Sequence, residues 1–149
     1  MKSIRHLLFL VLAVFLFVPF SANAQQSKEV MLAGYKLHPK VGTTGSGFFT
    51  LELNGDTLQV HGDFSNLMSS YTGAYIMAGK IGSNANALYS LEVTTNDQQT
   101  SGKLKASDNT FVLNEAQKDL LKEGNLYFLV SSSEHQNGEL AAPIPPMGN

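Results

Sequence analysis

The chain has 149 residues, with ten lysines and arginines against twelve aspartates and glutamates, a formal net charge of −2, and no cysteine or tryptophan. A weakly acidic chain lacks the cationic footprint that holds phosphate backbones, which excludes nucleic acid as a partner. The absence of cysteine excludes disulfides, thiolate zinc sites, iron–sulfur clusters and cysteine nucleophiles.

The N-terminus reads as an export signal rather than as part of a fold. Lys2, Arg5 and His6 form a basic region, Leu7 to Phe17 is an unbroken apolar core, and Pro19 precedes the small-x-small site Ala22-Asn23-Ala24. That is the order of a secretory signal peptide. A spanning helix needs roughly 20 apolar residues, and this run ends at Pro19 and Ser21. Cleavage after Ala24 is therefore expected, leaving residues 25–149 as one domain with a loose tail from about residue 145. Losing Lys2 and Arg5, the latter the only arginine, leaves eight lysines against twelve acids, a charge of −4. With no cysteine for a lipid anchor and no second apolar run of spanning length, the product is expected in the periplasm or the medium. Composition leaves its oligomeric state open.

Beyond the signal the pattern is one of short strands. Glu29 to Leu37 is a first extended run, ended by His38-Pro39, because proline cannot donate to a ladder and biases the residue before it toward extended backbone. Gly42, Gly45 and Gly47 mark a loop that lacks the lysine and following helix of a phosphate loop. Phe49, Leu51 and Leu53 alternate with polar residues, as do Leu58, Val60, Gly62 and Phe64, on either side of Asn54-Gly55-Asp56. This is a strong local hairpin signal. Tyr71 to Met77 and Ala87 to Thr94 read as further strands, and Ser101 to Ala106 as a short one. Asn114 with Gln117 three residues on has the spacing of a capping box; Ala116, Leu120 and Leu121 give an apolar stripe, and Gly124 suits the C′ position. This predicts a helix of about nine or ten residues. Leu126, Phe128 and Val130 alternate with Tyr127, Leu129 and Ser131, the period of a strand with one buried face, and Asn137-Gly138 supplies the turn into Glu139 to Ile144. Short strands around turn pairs with a single helix predict a mainly β fold, an antiparallel β-sandwich of immunoglobulin-like or superoxide-dismutase-like type.

The order of these elements resembles the CHRD domain, named after chordin, from about Leu32 to Ile144. The matching positions are His38-Pro39-Lys40-Val41, Phe64-Ser65-Asn66-Leu67, Ala74-Tyr75-Ile76-Met77, Ser101-Gly102, Leu120 to Gly124, Leu126 to Ser131 and Gly138 to Ile144. On that resemblance Pro39, Asn66, Leu67, Gly124, Tyr127, Gly138 and Glu139 are framework positions with structural roles. The resemblance also implies histidines where this chain has Tyr75, Met77 and Ser131, and an arginine where it has Ala141. Alternate histidines on one strand share a face, and a third from a neighbouring strand would complete a metal set. This chain has lost that set.

The remaining candidates have plain explanations. His38, His61 and His135 have no short ligand spacing and read as scattered surface residues. Met31, Met68 or Met77 with a histidine is a conceivable copper(I) set, but methionine more often fills core gaps. Ser131, Ser132, Ser133, Glu134 and His135 have the composition of a hydrolase site without a Gly-x-Ser-x-Gly elbow, and read as a polar loop. Among the strand-borne acids Glu52, Asp63, Glu92 and Glu139, the first two alternate outward; Glu139 is expected to cap backbone N–H groups structurally. The expectation is therefore an exported, non-catalytic binding or structural module with no cofactor and an unidentified protein or extracellular ligand. A copper- or zinc-linked periplasmic protein is the alternative.

Overall fold

The computed structural model describes residues 25–148, so the signal-peptide reading of residues 1–24 lies outside it. Strands β1 (Gln26–Ala33), β2 (Ser46–Asn54), β3 (Thr57–Ser65), β4 (Tyr71–Ala78), β5 (Asn86–Ser90), β6 (Thr94–Thr95), β7 (Gly102–Leu104) and β8 (Thr110–Val112) precede helix α1 (Glu115–Lys122). Strands β9 (Leu126–Ser132) and β10 (Leu140–Pro143) follow it. All pairings among the described residues are antiparallel, in the order β5-β4-β9-β10-β1-β2-β3-β7-β6, with β8 also against β3.

The fold is mainly β as expected, its strands forming one continuous antiparallel sheet curled into a half-barrel. Its two halves join narrowly, through the single β1–β10 pair Ala33↔Ala141. Strands β2 and β9 lie three places apart in the order, yet the Phe49 and Phe128 rings meet edge-to-face with centroids 5.0 Å apart. A flat sheet would hold strands three places apart at roughly 14 Å. Curling brings the inner faces together, and alternation then dictates the core: Leu32, Phe49, Leu51, Leu58, Val60, Ile76, Phe128, Val130 and Leu140 are all fully buried.

Local chemistry accounts for most boundaries. Residues 26–33 pair in register with residues 53–46, so the first strand begins earlier than predicted and ends at Ala33. There the chain turns into a 3-10 turn at Gly34–Lys36 instead of continuing to Leu37. Asn54 pairs with Thr57, placing Gly55-Asp56 at the turn centre with Gly55 at φ +59°. The turn pair is thus shifted by one residue from Asn54-Gly55. The expected strand Ala87 to Thr94 divides into β5 and β6, and β8 was not anticipated. Helix α1 carries the complete capping box: Asn114 accepts from the Gln117 N–H, and Gln117 accepts from the Asn114 N–H, each at 3.0 Å. Leu121 is buried and Leu120 packs against the core, but Ala116 faces solvent. Lys118 links the helix to the β2–β3 turn through Asp56 at 2.8 Å and pairs with Glu115 at 2.6 Å.

Two expectations about the C-terminal region need correction. Through residue 148 the segment after residue 145 is not loose: Met147 is buried in the core, its N–H donates to the Leu121 carbonyl at 3.3 Å, and the Gly148 N–H donates to Gln26 Oε1 at 2.8 Å. Strand β9 has no solvent-facing side at all, being buried at every position. Leu126, Phe128 and Val130 face the main core, while Tyr127, Leu129 and Ala141 of β10 join Leu37, Val41, Met77, Ile81 and Ala85 in a second cluster on the outer face.

Candidate functional site

Leu37, Met77, Tyr127 and Leu129 of the second cluster form the floor of a cleft of about 490 Å³. Its position follows from strand register. Residues directly opposite one another in an antiparallel pair share a face. Across β4 and β9 the pairs are Gly73↔Ser131, Tyr75↔Leu129 and Met77↔Tyr127, and Leu129 in turn pairs with Ala141 of β10. All these side chains therefore point to the outer face. The β4–β5 connection and the loop after β9 wall the cleft with Ile81, Asn84, Gln136 and Asn137, and His38 closes one end beside Gly82.

Tyr75 owes its place to the lack of a side chain at Gly73. A Cβ at Gly73 would lie 2.2 Å from the Tyr75 hydroxyl oxygen and 2.6 Å from its ring, so the ring folds back over that glycine. Ser131 is 3% exposed, and its Oγ finds no hydrogen-bond partner among the described residues. A buried hydroxyl without a partner is uncommon and costs about 1–3 kcal/mol. Burial pushes the Tyr127 hydroxyl above the usual tyrosine range, keeping it a neutral donor.

A different buried polar group sits at the end of β9. Glu139 is fully buried. Its carboxylate accepts from Thr43 Oγ1 and Ser132 Oγ, both at 2.5 Å, and from the Met68 N–H at 2.8 Å. The donors come from the β1–β2 connection, the end of β9 and the β3–β4 connection, so one side chain holds three segments together. The final turn is wider than Asn137-Gly138 alone: Ser132 and His135 exchange backbone hydrogen bonds at 3.1 and 3.3 Å before Gly138 and Glu139 re-enter the sheet. Gly138 sits at φ +119°, and a Cβ there would come within 2.4 Å of Leu129 Cδ1. Only glycine meets both conditions.

Asn66 and Leu67 directly precede Met68 beside this cluster, and the Asn66 carbonyl accepts from Thr44 Oγ1 at 3.2 Å. Asn66 takes φ +59°, a left-handed conformation asparagine tolerates better than most residues, and neighbouring Leu67 is buried. Gly124 follows α1 at φ +67°, and Pro39 is exposed with a cis bond from His38.

His38 and Met77 line the same cleft, while Met31 and Met68 are exposed elsewhere. His61 is half-buried on β3 with an unpartnered Nδ1, and His135 lies in the loop after β9. Ser132 gives its hydroxyl to Glu139, not to a histidine. Glu52 is half-buried and Asp63 exposed on β2 and β3, and Glu92 is exposed between β5 and β6. Among the described residues no three His, Asp or Glu side chains converge as a metal set, and no helix is long and apolar enough to cross a membrane.

Two features had no signal in the sequence. Part of the cleft wall, from His38 and from residues 81–85, comes from segments remote in the chain from β9. Asn109, fully buried, accepts from the Glu92 N–H at 2.8 Å and donates to the carbonyls of Glu92 and Lys105 at 2.9 and 3.1 Å. It thus ties the segments that follow β5 and β7 to the start of β8.

No curated protein and no solved structure gave a significant match. The model of the CHRD domain family matches residues 20–144, beginning earlier than the resemblance from about Leu32. Because that match covers most of the sequence, the chain belongs to the CHRD domain family.

Proposed function

We propose that this is an exported, non-catalytic binding module whose ligand site is the cleft on the outer face of β4 and β9. One observation carries the reading. Tyr75, Met77, Ser131 and Ala141, the positions where the chain departs from the polar pattern of its resemblance, share one outer face, and the first three line one cleft. The departures are therefore concentrated in space although dispersed in sequence. The cleft offers hydroxyls, amides and an apolar floor, but no pairing of a nucleophile with a base and an orienting acid. It suits recognition better than turnover. The signal-like N-terminus supports export, and sequencing the N-terminus of protein recovered from the envelope or medium tests it: a first residue other than Gln25 counts against the proposed processing.

The copper- or zinc-linked alternative retains only His38 and Met77 in the cleft, too few donors for a closed site. Elemental analysis of protein from its native compartment decides between the two; stoichiometric copper or zinc would favour the alternative.

The binding reading is tested by a chemically diverse fragment screen followed by NMR. Fragments should perturb Asn84, Gln136 and Asn137 amides, and Ala87→Trp, at an exposed position on the cleft wall, should abolish those perturbations. Hits that all lie elsewhere, or that ignore the tryptophan, would defeat it.

A further inference from the structure

The chemistry of the cleft limits what can occupy it. Its walls present two phenols, Tyr75 and Tyr127, three primary amides, Asn84, Gln136 and Asn137, the buried hydroxyl of Ser131, the hydroxyl of Ser83 and the exposed imidazole of His38. No aspartate, glutamate, lysine or arginine lines it. Apart from the exposed imidazole of His38, a charged ligand entering such a site would find no counter-charge for the hydration it loses, which is strongly unfavourable. A purely apolar ligand would strand the amides and the serine, and buried polar groups left unpaired are costly. Primary amides and hydroxyls both donate and accept, so they match a ligand whose polar groups also do both. The cleft volume, about 490 Å³, falls within the range of small-ligand sites.

From these constraints we infer that the cleft binds a neutral saccharide, with sugar hydroxyls paired to the amides and Ser131 and a C–H face of the ring laid on Tyr75. The Tyr75 ring is half-buried, held over Gly73 and open on its other side to the cleft. Aromatic faces carry partial negative charge, which attracts the weakly positive C–H groups of a pyranose. Ser131 supplies an independent pointer. Its Oγ is buried without a protein partner and lines the cleft, so a ligand hydroxyl would complete it. This inference rests on the cleft being the binding site and adds the ligand class.

The test titrates ¹⁵N-labelled protein with neutral disaccharides built from glucose, galactose, mannose or N-acetylglucosamine. A sulfated disaccharide, a sialylated one and an uncharged aromatic fragment serve as contrasts. At least one neutral sugar should shift the side-chain amides of Asn84, Gln136 and Asn137 with a dissociation constant of about 1 mM or tighter. Tyr75→Ala should weaken that binding by about tenfold or more, and Ser131→Ala should weaken it less. Asn137→Ala, at an exposed position, keeps the test valid if either variant unfolds. Cleft shifts with a charged sugar or the aromatic fragment, and none with any neutral sugar at ~10 mM, would overturn the saccharide assignment while leaving the cleft reading standing. No cleft shift with any probe, together with a failed fragment screen, would overturn both.

Discussion

Glu139 offers the sharpest test of how this half-barrel is held together. Its side chain is fully buried, and both carboxylate oxygens are engaged: Oε1 by Thr43 and the Met68 N–H, Oε2 by Ser132. Glu139→Gln keeps the shape and one acceptor. The amide oxygen can still take Thr43 and Met68, but the amide nitrogen then faces Ser132, whose hydroxyl must turn from donor to acceptor. Three bonds to a carboxylate become three neutral ones. Hydrogen bonds to charged groups contribute about 1.5–3 kcal/mol and neutral ones about 1 kcal/mol, so the three bonds lose about 1.5–6 kcal/mol; relief of the buried carboxylate's desolvation cost offsets part of this, leaving a net loss of about 2 kcal/mol. For a chain of this size that corresponds to a fall in melting temperature of about 6–8 °C.

Glu139→Ala leaves the Met68 N–H and two hydroxyls without their partner, at about 1–3 kcal/mol each, and should cost at least twice as much. Reversible unfolding in urea and by heat, followed by circular dichroism, measures both variants. A double-mutant cycle with Ser132→Ala then isolates the Ser132–Glu139 contact, whose coupling should exceed about 0.5 kcal/mol. A Gln variant melting within about 2 °C of the parent, or a coupling of zero, would refute the view that this carboxylate ties three connections together.

Two further outcomes follow from local structure. Asn114→Ala removes the acceptor for the Gln117 N–H and half of the capping box; it should destabilise by about 1 kcal/mol, and an unchanged urea midpoint would contradict the cap. Tyr71 stacks on Phe64 with centroids 5.5 Å apart, and burial, with smaller repulsion from Tyr75 and Glu92, pushes its hydroxyl up to about 12 from 10.0. A raised folded value means the neutral form is favoured in the fold, so this stabilisation is complete below pH 10 and is lost as pH rises toward 12. The urea midpoint of the parent should therefore fall more steeply over that interval than that of Tyr71→Phe; parallel profiles would refute the assignment.

How much of this was legible in the chain depended on whether the deciding interaction was local. The helix and its cap were readable because Asn114, Gln117 and Gly124 act within three turns of one another. The β2–β3 hairpin was readable because alternation and its turn lie in one stretch, although the turn pair settled as Gly55-Asp56. Glycine at the first central position of a two-residue hairpin loop matches the strand twist. The curling into one sheet was not readable, since it rests on long-range contacts such as Phe49 with Phe128. Neither was the burial of Tyr127 and Leu129, because alternation shows that a strand has two faces and not what covers the second. Their cover comes from Leu37, Val41, Ile81 and Ala85, all more than forty residues away in the chain. The short strand β8 and the bridging role of Asn109 fall below the length at which periodicity is informative.

The same two-faced strand explains how the outer surface could change while the fold stayed. In β9 the residues that set the half-barrel, Leu126, Phe128 and Val130, alternate with those that set the cleft, Tyr127, Leu129 and Ser131. Substitution at one set leaves the inner packing of the other untouched, because successive side chains point to opposite faces. Phe128 cannot change without opening a cavity against Phe49, a loss of about 3–5 kcal/mol for truncation to alanine. Ser131 carries an unpartnered Oγ even now. A framework loss threatens the whole domain, whereas a change on the outer face alters mainly what the cleft can hold. That asymmetry accounts for a chain that keeps Gly138 and Glu139 while presenting Tyr75, Met77 and Ser131 on the outer face where its family resemblance implies histidines.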